Sequence, residues 1–465
     1  MRSAPRPSRD GAAAVPTVRS WPVLGSAVPL ARDPLGFVSS LRTRGDVVAI
    51  RVGPQRMYVI NDRALIRQVL VDQAYSFDKG RQFDKLRPWW GNGLANSTGE
   101  FHLRQRRLMQ PAFHRQQIAS YLPDMCEAAE QYVGSWPSGR AIALDEELYV
   151  LTLSMVLRNL FSTSAEDRSL ARVQAALSVI LKGLLWRCLD TTDRLEKLPL
   201  PVNRRFTAAL TDMHAVVDDI IARHTADRAD LLTMLQQARD PDTGEAMSRQ
   251  QVHDEVCTIL ITGSETTRST LSWICYELSR RPDIQHRVQA EVDDVLAGEP
   301  LRAEHVERLP YTRSVITETL RAYPVVWLLT RRALTDVQLG SYRIPEGAVI
   351  CYAPYALQHD PELYPDPEHF DPDRFRADAA PSPAGCPAGR RPRDAFIAFG
   401  AGIHSCIGEP LAWAQTVTIL ATLARHWTLA PAPRTKVRPA ARMLLLPDRL
   451  PLVLHPRRAP APGAT

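Results

Sequence analysis

The chain has 465 residues, 45% of them hydrophobic, 23% charged and 7% aromatic, with a formal net charge of +6 and a pI near 9.0. That is ample apolar material for a large core and gives no ground for disorder away from the two ends. No basic run interleaved with aromatics marks a nucleic-acid face, so the modest positive excess reads as a patch that meets an acidic protein partner.

Residues 1–20, rich in Arg, Pro and Ala, read as a disordered leader. They hold no apolar stretch long enough for a signal sequence or membrane anchor, so a cytoplasmic protein is expected. Residues 47–52 and 56–60 alternate about Gly53-Pro54, the pattern of a β-hairpin. From about Glu100 to Leu296 the texture is helical, broken at Pro137, Pro199-Leu200-Pro201 and Pro241. Early in it, His102 and Arg106 stand four apart on one helix face. The clearest element starts at Ser248, which forms a capping box with Gln251. Apolar residues then recur at helical spacing from Val252 to Leu278, predicting a helix of about 30 residues and about 45 Å. Its middle carries Thr262-Gly263-Ser264-Glu265-Thr266-Thr267, where a glycine and clustered hydroxyls weaken the helix. Asp218-Asp219 and Asp293-Asp294 lack the third acid that a diphosphate-binding metal site needs and read as solvated helix faces. Glu318 and Arg321, three apart, share a helix face. After Tyr323-Pro324 short β-type runs with Pro and Gly turns take over. Residues 376–393 form a Pro/Gly/Ala/Arg-rich loop, and residues 456–465 read as a disordered tail. The expected whole is one domain over 21–455, mainly α with small β-sheets.

The seven cysteines are odd in number, scattered, and contain no C-x-x-C pair. This speaks against a disulfide framework or structural zinc, and for a reducing compartment. Cys406 stands apart. It lies in Phe399-Gly400-Ala401-Gly402-Ile403-His404-Ser405-Cys406-Ile407-Gly408, a glycine-spaced turn that opens a helix running from Leu411 through Leu423. The helix dipole and loop N–H groups favour an anionic thiolate there. The glycines let the backbone pass close beneath a flat macrocycle, and Phe399 shields the sulfur.

This segment resembles the haem-binding signature of the cytochrome P-450 family. Three further motifs match in order, and the resemblance covers residues 20–455. Glu318-Thr319-Leu320-Arg321 is similar to the family's E-x-x-R. With Arg374 of Asp371-Pro372-Asp373-Arg374-Phe375 it implies a buried structural charge network. Thr262 to Thr267 resembles A-G-x-D/E-T-T, with Thr262 where alanine is usual. The resemblance implies that this point of the helix, with Gly263, opens to seat O2, that Thr266 delivers a proton and that Glu265 relays protons from solvent. His102 and Arg106 resemble the H-x-x-x-R pair that holds haem propionates, and Arg331 and His404 match the other propionate donors. Arg332 is an alternative to Arg331. The implied haem contacts are thus His102, Arg106, Gly263, Arg331, Phe399, Gly402, His404, Cys406 and Gly408, with Cys406 the iron ligand.

The resemblance implies a monooxygenase using haem b (iron protoporphyrin IX), with electrons ultimately from NAD(P)H. The chain has room for neither a flavin domain nor an iron–sulfur cluster. A separate ferredoxin with its reductase, or a flavodoxin, is therefore implied, with Arg104, Arg107 and Arg390-Arg391 as candidate docking charges. A monomer is expected. Residues 83–94 with Trp89 and Trp90, 180–186, 325–329 and 443–446 are apolar segments expected to line the substrate pocket. Arg87, Lys182 and Arg187 lie nearby. Phe77-Asp78-Lys79-Gly80, Gly91 to Leu94, Arg104 to His114, Leu198 to Phe206 and Trp327 to Ala333 look like bacterial terpene-oxidising members. The resemblance therefore implies a terpenoid, most readily a cyclic sesquiterpene or an early oxidation product of one, in secondary metabolism. Rival readings are a macrolide, fatty acid or other natural product as substrate, a haem-thiolate enzyme that does not activate O2, or a protein that only recruits a partner. Cys406, Glu265 and Thr266 together argue against the last two.

Overall fold

The computed structural model describes residues 14–163, 168–189, 198–225, 230–376 and 395–457. Cys386, Arg390, Arg391 and nearly all of the 376–393 loop lie outside these residues, as does the tail from residue 458.

The expected hairpin is present. β1 (Val47–Val52) and β2 (Gln55–Ile60) pair antiparallel around a turn in which Gly53 has φ +58°. They continue into a five-stranded sheet with β3 (Phe77–Asp78), β4 (Leu329–Ala333) and β5 (Val349–Tyr352), in the order β1-β2-β5-β4-β3. The β2–β5 pair is parallel and the others antiparallel. Backbone order begins inside the expected leader, because Thr17 pairs with Ala49 and the Val18 N–H donates to its carbonyl. It also reaches into the expected tail, where Pro456 pairs with Trp427 and Arg457 bonds Asp293. Asp293 is thus an ion-pair partner, whereas the reading above left it on a solvated face.

Helices make up most of the rest of the core, chief among them α1 (Gly99–Met109), α2 (Arg115–Gly134), α3 (Leu144–Phe161), α4 (Arg168–Leu189), α5 (Pro201–Arg223), α6 (Arg249–Arg280), α7 (Pro310–Ala322) and α8 (Glu409–His426). The 32-residue α6 is the predicted rod, about 48 Å long. Its capping box has the Gln251 N–H on Ser248 Oγ at 3.2 Å and the Ser248 N–H on Gln251 Oε1 at 2.6 Å. Most of its side chains are buried, because α3, α5, α7 and α8 all pack on it. Such a helix, covered all round, forms the wall against which a site can be built. It runs unbroken through Gly263, so the expected weakening shows only in side chains. Thr262, Thr266 and Thr270 each turn a hydroxyl back to the carbonyl four residues earlier, at 2.8, 2.6 and 3.2 Å.

The Glu318–Arg321 pair on α7 is fully buried, with Nε–Oε2 at 2.7 Å and Nη2–Oε1 at 2.8 Å. Arg374 joins at 3.6 Å from Glu318 Oε1, which also accepts the Asp371 N–H at 2.9 Å. This is the three-part network expected from sequence. It ties α7 to residues 371–374 and, through the Arg321 bond to the Gln358 carbonyl, to the chain ahead of the cysteine loop.

Candidate active site

A cavity of about 330 Å³ opens between α6, α7, the start of α8 and the 396–408 loop. Cys406, Thr262, Gly263 and Thr266 all line it, so the cysteine loop and the middle of α6 face one space. The turn holding Cys406 is closed by its own backbone: the Cys406 N–H donates to the Phe399 carbonyl at 2.8 Å and the Ser405 N–H to that of Gly402 at 3.0 Å. Phe399, Gly400 and Gly408 also face the cavity, and a side chain on Gly408 would come within 3.9 Å of Cys406 Sγ. Gly402 has a different reason for being glycine. With φ +68°, it lies so close to the Leu70 carbonyl that a Cβ would sit 1.9 Å from that oxygen. It locks the loop against the preceding chain and is not among the residues lining the cavity.

The thiol is held less acidic than the dipole argument suggested. Burial pushes Cys406 up to about 11, outweighing the N–H groups of Gly408 and Glu409 and the charge of Arg106, which pull it down. The sulfur is nonetheless exposed to the cavity, and a cation bound to it would remove the proton outright.

One end of the cavity is rich in donors. His102 and Arg106 come from successive turns of α1, Arg331 from β4 and His404 from the cysteine loop, and all four line the space. His102 Nε2 is 3.2 Å from the Ile403 carbonyl and 3.1 Å from His404 Nδ1. Arg106 donates to the Ser405 carbonyl at 2.6 Å. Strand alternation separates the two candidate arginines. Arg331 is buried at the cavity, whereas Arg332 turns away into ion pairs with Asp78 and Asp84. Sequence reasoning missed a fifth member. Lys79 is 6% exposed, lines the cavity and donates to the carbonyls of Leu94 and Ala95 at 2.8 and 2.7 Å. Only its place in the Phe77-Asp78-Lys79-Gly80 match hinted at it.

The electrostatics of this cluster test whether an anionic cofactor fits. Burial, then Arg331, holds Lys79 well below its ordinary range. Burial and Lys79 hold His102 down to about 4, and burial and neighbouring cations bring His404 down to about 2. The carboxyl that raises Lys79 against these effects is Glu255, itself pushed up to about 8 by burial. The cluster is short of negative charge, and two carboxylates beside Arg106, Arg331 and Lys79 would relieve it. A haem, whose iron would take the Cys406 sulfur and whose two propionates would take the cationic end, fits this donor set.

Glu265 is placed differently from Thr266. It is buried on another face of α6, is not among the cavity-lining residues, and bonds Arg268 Nη1 at 3.2 Å. Arg268 in turn donates to the Asp145 carbonyl at 3.0 Å. Burial raises Glu265 despite Arg268. The apolar wall combines Phe83, Leu94, Val325, Val326 and Leu329 with Ile259. Residues 83–94 and 325–329 therefore contribute in part. Trp89, Trp90, 443–446 and the described part of 180–186 are not among the lining residues; Trp89 instead packs in the core beside Trp90. Arg104 and Arg107 are not free docking charges either, because both pair with Asp240, and Arg107 also with Asp242.

The cytochrome P450 family model matches residues 15–455. The chain belongs to the cytochrome P450 family. It is 39% identical over 441 residues to a cyclooctat-9-en-7-ol 5-monooxygenase of Streptomyces melanosporofaciens, covering 94% of each chain. It is equally 39% identical over 441 residues to a pentalenene oxygenase of Streptomyces avermitilis, again over 94% of each. The crystal structure of a cytochrome P450DA heme domain superposes with a TM-score of 0.85 at 24% identity, over 96% of this chain and 99% of that one. This cytochrome P450 is a haem-thiolate monooxygenase of a family that works with redox partners on apolar substrates. No helix among its described residues is long and apolar enough to cross a membrane.

Proposed function

We propose that this cytochrome P450 inserts one oxygen atom from O2 into a cyclic terpenoid in bacterial secondary metabolism. The observation that carries the reading is the meeting of three features in one cavity: the Cys406 sulfur, the Lys79–His102–Arg106–Arg331 donor end, and an apolar wall closed by Thr266. The relatives named for cyclooctat-9-en-7-ol and pentalenene support the substrate class.

Cys406 would hold the iron, and Arg106, Arg331, Lys79 and the two histidines the propionates. Bound there, the haem supplies O2 activation, with thiolate donation favouring O–O cleavage. The protein's own residues do the rest. Thr266 offers its Oγ1 hydrogen at the cavity, and must leave the Thr262 carbonyl to do so. Glu265 replenishes that proton from the solvent side once its carboxylate is released from Arg268. The apolar wall excludes water and holds the hydrocarbon by shape, which decides the position of attack. Electrons come from NAD(P)H through a ferredoxin and its reductase, or a flavodoxin, and the enzyme works as a cytoplasmic monomer.

The test is a spectral binding titration with cyclic sesquiterpenes and larger cyclic terpene alcohols, set against macrolides, fatty acids and steroids. Terpenoids are expected to give the low-to-high-spin shift. A shift confined to macrolides or fatty acids would remove the terpenoid reading. Separately, Cys406→His should lose the strongly red-shifted Soret band of the reduced carbon monoxide complex, and retention of that band would remove Cys406 as the ligand.

A further inference from the structure

On the far side of α6 from the haem cavity's donor end, His214, His253 and Cys257 each present one ligand atom, and these lie within 4.8 Å of one another. His253 and Cys257 are one turn apart on α6, and His214 reaches in from α5. Cys257 Sγ is 3.8 Å from Nδ1 of His214 and 3.8 Å from Nδ1 of His253. Tetrahedral zinc with ordinary Zn–N and Zn–S bonds needs ligand-to-ligand separations of about 3.4–3.6 Å. The sulfur–nitrogen edges are therefore already close to the length required.

The imidazole tautomers point the same way. His214 Nε2 lies 3.1 Å from the Pro88 carbonyl, an acceptor, so its proton sits on Nε2 and the Nδ1 lone pair faces the sulfur. His253 Nε2 lies 4.0 Å from the Asp218 carboxylate, beyond hydrogen-bond reach but close enough for a small turn of the ring to make that contact. Asp254 Oδ1 also stands 3.6 Å from His253 Nδ1. Its oxygens also accept from the Asn92 N–H at 2.7 Å and Gln250 Nε2 at 2.8 Å, so Asp254 keeps two partners when His253 Nδ1 turns to the ion. The two rings stack with centroids 5.1 Å apart, so one ring turns about its side-chain bonds to bring both Nδ1 lone pairs onto one ion beside Sγ. Cys257 and His253 are buried while His214 is half-exposed, which supplies a path for an ion.

We propose that His214, His253 and Cys257 form a binding site for a zinc-type divalent ion, separate from the haem. The ion binds two neutral Nδ1 atoms and the Cys257 thiolate, whose proton passes to solvent, and keeps a fourth position for water. It staples α5 to α6 one residue before Thr258, which lines the haem cavity. This reverses the exclusion of structural zinc from cysteine spacing, since the ligands come from two helices and only one is a cysteine.

The experiment is equilibrium dialysis of the haem-loaded enzyme against Zn2+, with zinc counted against haem iron, followed by zinc-edge X-ray absorption. One zinc per haem is expected, with one sulfur in its coordination shell. Cys257→Ser and, separately, the partly exposed His214→Gln should each weaken zinc binding about 100-fold or more, since even outer-shell changes cost about 10–100-fold. No zinc retained by the wild type, a shell without sulfur, or His214→Gln binding as tightly as wild type would each overturn the proposal.

Discussion

Arg321→Ala should cost this protein a large share of its stability without touching the cavity chemistry. The side chain makes two bonds to Glu318, at 2.7 and 2.8 Å, and donates to the Gln358 carbonyl at 3.0 Å, all at full burial. Truncation leaves the Glu318 carboxylate with the Asp371 N–H at 2.9 Å and Arg374 at 3.6 Å, and leaves the Gln358 carbonyl short of a donor. Removing one partner of a buried pair costs about 3–5 kcal/mol. Against a total of about 5–15 kcal/mol, that is about a fifth or more of the stability of an ordinary domain. Arg343→Ala is the control. Its pair with Asp336 at 2.7 Å is more than half exposed on both sides, where ion pairs contribute about 0–1 kcal/mol. Urea unfolding of haem-loaded protein, with haem per chain from absorbance, reads both variants. The double variant Glu318→Gln/Arg321→Met should lose less than the sum of the single changes, because no charge is left unpaired. An Arg321→Ala protein within about 1 kcal/mol of wild type and with full haem content would refute the reasoning.

Thr266→Ala should bind haem and substrate as wild type does, yet lower product per NAD(P)H by about 100-fold and divert electrons to peroxide, as read by coupled product and peroxide assays. Lys79→Met removes a buried cation at the propionate end. Haem loss to a scavenger should quicken by about 10–100-fold, the value of a charge-assisted bond, while Arg332→Met, already paired with Asp78, should leave it unchanged. Glu255, pushed up to about 8 by burial and by Asp254, is protonated at neutral pH. A carboxyl raised on folding contributes stability that is full below its unfolded value near 4.5 and is lost as pH rises through about 8. Glu255→Gln should therefore flatten the fall in urea stability between about pH 4.5 and 8, and an unchanged slope would contradict the assignment.

What was legible in the sequence is what local chemistry writes into consecutive residues. Ser248 and Gln251 announce α6 because a capping box is a three-residue device. Gly53-Pro54 marks the hairpin, and the Phe399–Gly408 spacing sets the cysteine loop. The harder features depend on what the fold brings from elsewhere. Arg104 and Arg107 look free until the 240–242 turn supplies Asp240 and Asp242. Gly402 looks like a floor for a macrocycle until the Leu70 carbonyl takes the space where its Cβ would be. Glu265 and Thr266 are neighbours in sequence, but 100° of helix rotation puts one in the cavity and the other on Arg268. Lys79 reads as a surface lysine because nothing local shows that the Leu94 and Ala95 carbonyls and Arg331 surround it. The cluster of His214 with Cys257 spans two helices and 43 residues of chain, beyond any spacing rule.

In the proposed reaction this cavity transfers one atom of O2 to a cyclic terpenoid, with electrons supplied by redox partners. The most direct measurement supplies the haem-loaded enzyme with a ferredoxin, its reductase, NADPH and a spin-shifting cyclic terpene under isotopically heavy O2. Mass spectrometry of the product then reads the source of the oxygen. One heavy oxygen atom per product molecule is expected, with the label lost when Cys406→His replaces the wild type. Product oxygen drawn from water, or turnover that consumes NADPH with no terpene product, would contradict it.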